Sequence, residues 1–137
     1  MNDIVINKIQ SIQRCIERAK EEYTLAGNDF KNNYSRQDAA ILNIIRACEQ
    51  TIDLANYMIK NFKMGIPQDT AEVFLLLQKK GVISSDLSEK LKKMVSFRNT
   101  VVHEYQNINL DILISVINNN LKDLIEFSEA VIEYVNE

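Results

Sequence analysis

Three glycines and one proline in 137 residues leave this chain very few places to turn. A chain so poor in turn residues must build a small number of long elements. Leu, Ile, Lys, Glu, Ala, Gln and Asn dominate, and most of them suit helices. Ile and Val are weaker helix formers, so their spacing has to decide the matter. The chain has the length of one domain, expected over 1–137, and is 46% hydrophobic, enough for a real core. At that size about two-thirds of the unfolded chain's surface is buried on folding, so neither a disulfide nor a metal is needed.

Apolar residues recur at helical spacing in successive stretches. Ile9, Ile12, Ile16, Ala19 and Tyr23 form a first stripe that ends before Gly27. A second helix is expected to start near Ser35, capped by that serine with Asp38 as a weak capping-box partner. Its stripe runs from Ala40 through Ile44, Ala47 and Leu54 to Met58 and stops around Gly65 and Pro67. The interval from Asn28 to Asn33 reads as a loop. A short helix follows, capped by Asp69 or Thr70, with Gly81 in the position that favours a left-handed backbone. A third long helix opens at "SSDLSEKL" and carries Leu87, Leu91, Met94, Val95, Val101 and Val102. The last starts near Asn109 and Asp111 and runs to Tyr134. The expected fold is therefore all-α, an up-down bundle of about four long helices plus one short one.

Net charge is −3, which rules out a broad basic surface for duplex nucleic acid and leaves only a local patch open. The N-terminus lacks a basic start followed by a long apolar run, and no stretch is long and apolar enough to span a membrane, so a cytoplasmic protein is expected. Cys15 and Cys48 fall inside apolar helical patterns and read as buried thiols of a reducing compartment. No metal site is expected: there is one histidine, and no Glu-x-x-His pair.

That single histidine lies in "SFRNTVVHEY", residues 96–105. On a helix turning about 100° per residue, Arg98 and Tyr105, seven apart, fall almost on one line. Asn99 and His103, four apart, face one way together. Arg98 and His103 stand roughly 140° apart around the axis. The chemistry on offer is narrow. His moves protons near neutral pH, Arg grips a phosphate with a planar fork, and Asn orients the His or binds a phosphate oxygen. That set suits metal-independent cleavage of RNA by its own 2′-hydroxyl. A lone helical histidine is, however, more often a plain surface or core residue than a catalyst. One histidine is also sparse for a reaction that wants both an acid and a base, and a symmetric dimer would supply two.

The run Arg98-Asn99, three residues, His103, one residue, Tyr105 resembles the R-x4-H-x-Y motif of HEPN-domain toxins of the HepT type. The helical layout, the segment "LKKMVSFRNTVVHEY" and the following "NLDIL" extend the resemblance over nearly the whole chain. What it implies is a HEPN-like bundle acting as the toxin of a type VII-like bacterial toxin–antitoxin system. Such toxins are homodimeric ribonucleases that cut RNA, either tRNA or mRNA, without a cofactor. Arg98 and His103 would be the catalytic pair, with Asn99 supporting. The partner would be a minimal, MntA-like nucleotidyltransferase antitoxin that transfers AMP from ATP to Tyr105. The added phosphates would block the cleft by bulk and by charge.

Lys90, Lys92 and Lys93 lie just upstream and form a candidate RNA-binding patch, with Lys93 the best placed relative to Arg98; a solvated helix face is the plainer explanation. Asp38 and Arg46 are further residues that could face the cleft, although helix capping accounts for Asp38 more simply. The wide apolar stripes of the first two helices would also suit a dimer face. The competing reading is a non-enzymatic helical subunit that binds a nucleotidyltransferase.

Overall fold

A computed structural model describes residues 2–104 and 107–136. Among them the chain is all helical, without a strand. The elements are α1 (Asp3–Ala26), a 3-10 turn (Gly27–Asn32), α2 (Tyr34–Asn61), α3 (Thr70–Lys79), α4 (Ser85–Glu104), α5 (Leu110–Ser115), a π turn (Val116–Asn120) and α6 (Lys122–Val135). With α5, the π turn and α6 taken as one interrupted helix, this is the expected up-down bundle of four long helices and one short one.

The ends of the helices follow local chemistry. Asp69 caps α3, its side chain accepting from the Glu72 N–H at 2.8 Å. The other end closes with a Schellman arrangement: Val82 N–H donates to Leu77 O and Gly81 N–H to Gln78 O, each at 3.0 Å. Gly81 adopts φ 78°, which a residue with a Cβ resists. Asn109 caps α5 with bonds from both Asp111 N–H and Ile112 N–H. Three details differ from the sequence reading. The cap of α2 is Asn33, which accepts from Arg36 N–H at 3.1 Å, so Ser35 already lies inside the helix. The interval before it is a 3-10 turn around Phe30, buried edge-to-face on Tyr23 with ring centroids 5.0 Å apart. Val102 does not join the apolar face of α4; it is 48% exposed.

α1 and α2 pack antiparallel along most of their length. Cross-links run in descending order along α2: Asn2 to Tyr57, Lys8 to Gln50, Glu22 to Arg36. Fully buried Ala19, Ala40, Ala47 and Ala55 contribute little bulk, so the backbones approach closely. α3, α4 and α6 then pack on further faces of α2, while Asp38, Leu42, Arg46, Asp53, Asn56 and Lys60 stay exposed. Phe74 of α3 meets Phe127 of α6 edge-to-face at 5.9 Å inside this core. No helix among the described residues is long and apolar enough to cross a membrane.

One buried group opposes the rest. Asp123 at the start of α6 is 2% exposed, and its Oδ1 has no hydrogen-bond partner among the described residues. Burial raises its pKa above the ordinary aspartate value, partly offset by the charge of Lys90. A raised folded-state pKa means that the folded chain binds the proton more tightly than the unfolded one. The resulting stability is present at acid pH and lost as pH rises through the folded-state pKa. Asp123→Asn should therefore melt higher than the parent at neutral pH, with the gap closing as pH falls below about 4; thermal melts across pH check this. Phe127→Ala, which empties the centre of the core, should cost about 3–5 kcal/mol in urea unfolding.

Candidate functional site

Residues Ser85–Glu104 form one unbroken helix, so the motif up to His103 has true helical geometry. Leu87, Leu91, Met94, Val95 and Val101 anchor its inner face. Lys92, Ser96, Asn99 and His103, spaced four, three and four, therefore share one outer line. Asn99 and His103 are both exposed. Arg98 belongs to a neighbouring line that turns toward α2. Tyr105 lies outside the described residues.

Arg98 is held from two sides. Its Nη1 donates to Asn99 Oδ1 at 2.8 Å, and its Nη2 donates to Glu49 Oε1 on α2 at 3.0 Å. Its Nε–H is buried with no hydrogen-bond partner among the described residues. Asn99 thus supports the arginine directly, whereas the sequence left open whether it served the histidine or a phosphate. Glu49 is the contact that sequence reasoning missed. The two residues lie 49 positions apart, and Glu49 looks like any other solvated carboxylate on an amphipathic helix.

Two hollows flank Arg98 and Asn99. One, of about 360 Å³, is lined by Glu49, Ile52, Asp53, Thr70 and Arg98. The other, of about 350 Å³, includes Asp69, Thr70, Lys92, Ser96 and Asn99. Thr70 borders both, so they adjoin at the start of α3. Lys92, not Lys93, shares the hollow with Asn99, because Lys92 lies seven residues before it on the same helical line. Lys92 pairs with Glu89 at 3.3 Å and Lys90 with Asp86 at 3.2 Å, while Lys93 is exposed. The hydrogen bond that Lys90 donates to the Asp86 carboxylate raises the Lys90 pKa above its ordinary value. Such exposed pairs are weakened by solvent and salt, so a phosphate can take either lysine from its carboxylate.

The other residues singled out in the sequence sit apart from this contact. Asp38 and Arg46 are both exposed on α2, with no hydrogen bond or ion pair to the motif among the described residues. Cys15 and Cys48 are buried free thiols. Burial pushes the Cys48 pKa up to about 12 against the opposing pull of nearby Arg98, so this thiol stays protonated and unreactive. No three His, Cys, Asp or Glu side chains gather into a metal-binding group among the described residues.

The arrangement offers a fixed guanidinium beside a line of exposed polar groups ending in an imidazole. Phosphate binding and proton transfer are the chemistry it can do. Comparison with known proteins agrees. Residues 12–131 match the family model described as "Ribonuclease HepT-like". An mRNA nuclease HepT of Shewanella oneidensis is 44% identical over 131 residues, covering 96% of this chain and 98% of its own length. A tRNA nuclease HepT of Aphanizomenon flos-aquae is 22% identical over 107 residues, covering 77% of this chain and 71% of its own. The tri-AMPylated Shewanella oneidensis HEPN toxin, solved in complex with its MNT antitoxin, superposes with a TM-score of 0.89 at 44% identity, covering 96% of this chain and 98% of that one. With sequence and backbone matched almost end to end, the chain belongs to the HepT-like ribonuclease family.

Proposed function

We propose that this chain is the toxin of a bacterial toxin–antitoxin pair, a metal-independent endoribonuclease built as a single cytoplasmic HEPN-like domain over 1–137. The observation that carries the reading is a braced Arg98 five residues from an exposed His103 on one continuous helix, in a chain 44% identical to an mRNA nuclease. Messenger RNA is the favoured substrate over tRNA, because the tRNA nuclease relative is only 22% identical.

In the proposed reaction the ribose 2′-oxygen attacks the adjacent phosphorus and loses its proton, while the 5′-oxygen of the next nucleotide leaves and gains one. His103 moves these protons. Arg98 stabilises the charge that builds on the phosphorane oxygens. The lines of Arg98 and His103 diverge by roughly 140° around α4, so one copy brackets the substrate instead of closing on it. A homodimer in which the two α4 helices face one cleft supplies a second imidazole and lets one act as base and the other as acid. Lys90, Lys92 and Lys93 guide the RNA backbone toward the motif.

The partner in this reading is an MntA-like nucleotidyltransferase, supported by the MNT complex of the Shewanella toxin. The Tyr105 hydroxyl attacks the α-phosphorus of ATP, the α–β anhydride bond breaks, pyrophosphate leaves, and the phenolic proton is released. Each AMP brings negative phosphate to a site meant for the RNA backbone and repels it.

Two outcomes test the reading. His103→Ala should cleave an in vitro transcribed messenger RNA at least about a hundredfold more slowly and fail to arrest growth; growth arrest equal to wild type would remove His103 from the mechanism. Tyr105→Phe should remain toxic, gain no AMP by intact-mass measurement with ATP and antitoxin, and escape neutralisation. Efficient neutralisation without modification would make control a matter of binding alone.

A further inference from the structure

We infer that Glu49 is a positioning residue for the ribonuclease reaction: it fixes the plane of the Arg98 guanidinium so that the fork meets the scissile phosphate already oriented. The inference rests on the ribonuclease reading above. A free arginine side chain samples many rotamers, and holding one carries an entropic cost. Here that cost is met in the free protein. Asn99 grips one terminal nitrogen at 2.8 Å and Glu49 the other at 3.0 Å, from two different helices. Two contacts at separate nitrogens fix a planar group against rotation, which a single contact does not. Of the five N–H bonds of the guanidinium, these contacts engage two and burial closes off the one on Nε, which leaves two, one on each terminal nitrogen, for substrate.

Glu49 is itself well placed to hold still. It sits midway along α2, a helix anchored by contacts with α1, α3, α4 and α6, and its side chain is 46% exposed. Its charge also has a cost for the substrate. With Asp53 it makes two carboxylates in the hollow beside Arg98, which oppose a phosphate until the arginine is engaged. Removing a residue that weakens ground-state binding while orienting the group that stabilises the transition state lowers the rate without lowering affinity.

The experiment compares wild type, Glu49→Ala, Glu49→Gln, Arg98→Lys and the double variant Arg98→Lys/Glu49→Ala, each confirmed folded by thermal melt. Single-turnover cleavage and equilibrium binding are measured with the same in vitro transcribed messenger RNA. Glu49→Ala should slow cleavage by about tenfold to a hundredfold, the size of effect expected from a displaced catalytic group, while binding stays equal or tightens. Glu49→Gln keeps an oxygen to accept from Nη2 and should recover most of that loss. In the Arg98→Lys background, which lacks the planar fork, removing Glu49 should cost less than about twofold more, because the two residues act as one unit. A Glu49→Ala rate equal to wild type, a Glu49→Gln rate as low as Glu49→Ala, or a full additive loss in the double variant would each overturn the role. The 15N resonance of Arg98 Nε supplies a readout free of RNA. It should be resolved in wild type and collapse onto the bulk arginine position in Glu49→Ala. Unchanged resonance in the variant overturns the inference. A collapsed resonance with a wild type that cleaves no RNA preserves the clamp and overturns the ribonuclease reading instead.

Discussion

Everything in this molecule depends on the burial of α2. It packs against α1, α3, α4 and α6, and Ala40, Ile44, Ala47, Leu54, Ala55 and Met58 along it are at most 1% exposed. An amphipathic surface helix needs one apolar stripe; a helix covered on several sides needs a wide one, and the second stripe of this sequence is wide. The buried alanines Ala40, Ala47 and Ala55 add little bulk to that stripe, and Ile44, Leu54 and Met58 fill it. The order of the cross-links between α1 and α2 shows that the register is fixed from Asn2 to Arg36, so the rest of the bundle assembles on a stiff hairpin.

The same helix gives the functional surface its order. Glu49 leaves the apolar stripe at its edge and meets Arg98 of α4. An arginine on a rim would ordinarily be mobile. This one is braced by an acid anchored in a core helix and by its own sequence neighbour Asn99. The brace brings an electrostatic tension: the chain is acidic overall, and carboxylates of Glu49, Asp53 and Asp69 line the hollows around the motif. One copy therefore presents a weak attraction for RNA. The proposed pairing of two copies brings a second Arg98 and a second set of lysines to the same cleft, which concentrates basic groups locally while the assembly stays acidic overall.

Much of the fold was legible because helical signals are local. The stripe periodicity, a cap at Asp69 or Thr70, the glycine at position 81 and a start near Asn109 and Asp111 all depend on residues within about one turn; the structure bears them out and puts the caps at Asp69 and Asn109. Errors arose where two local signals competed. Ser35 and Asn33 are both good caps, and Asn33 takes the role because α2 follows directly on the 3-10 turn that ends at Asn32, which leaves Ser35 inside the helix. Val102 fits the apolar spacing of α4, yet no element among the described residues covers it.

The sequence by itself determined a helical bundle and placed Arg98, Asn99 and His103 on one helix, because spacing along a helix converts directly into direction. Which of those side chains is held, and by what, was decided only by tertiary structure. Glu49 reaches Arg98 across 49 residues of chain, Lys92 enters the hollow that Lys93 misses, and Asp123 is buried by helices distant in sequence. Each of these depends on the rotation and offset of one helix against another. Those are set by how the whole set of side chains packs, and no window of sequence contains that information.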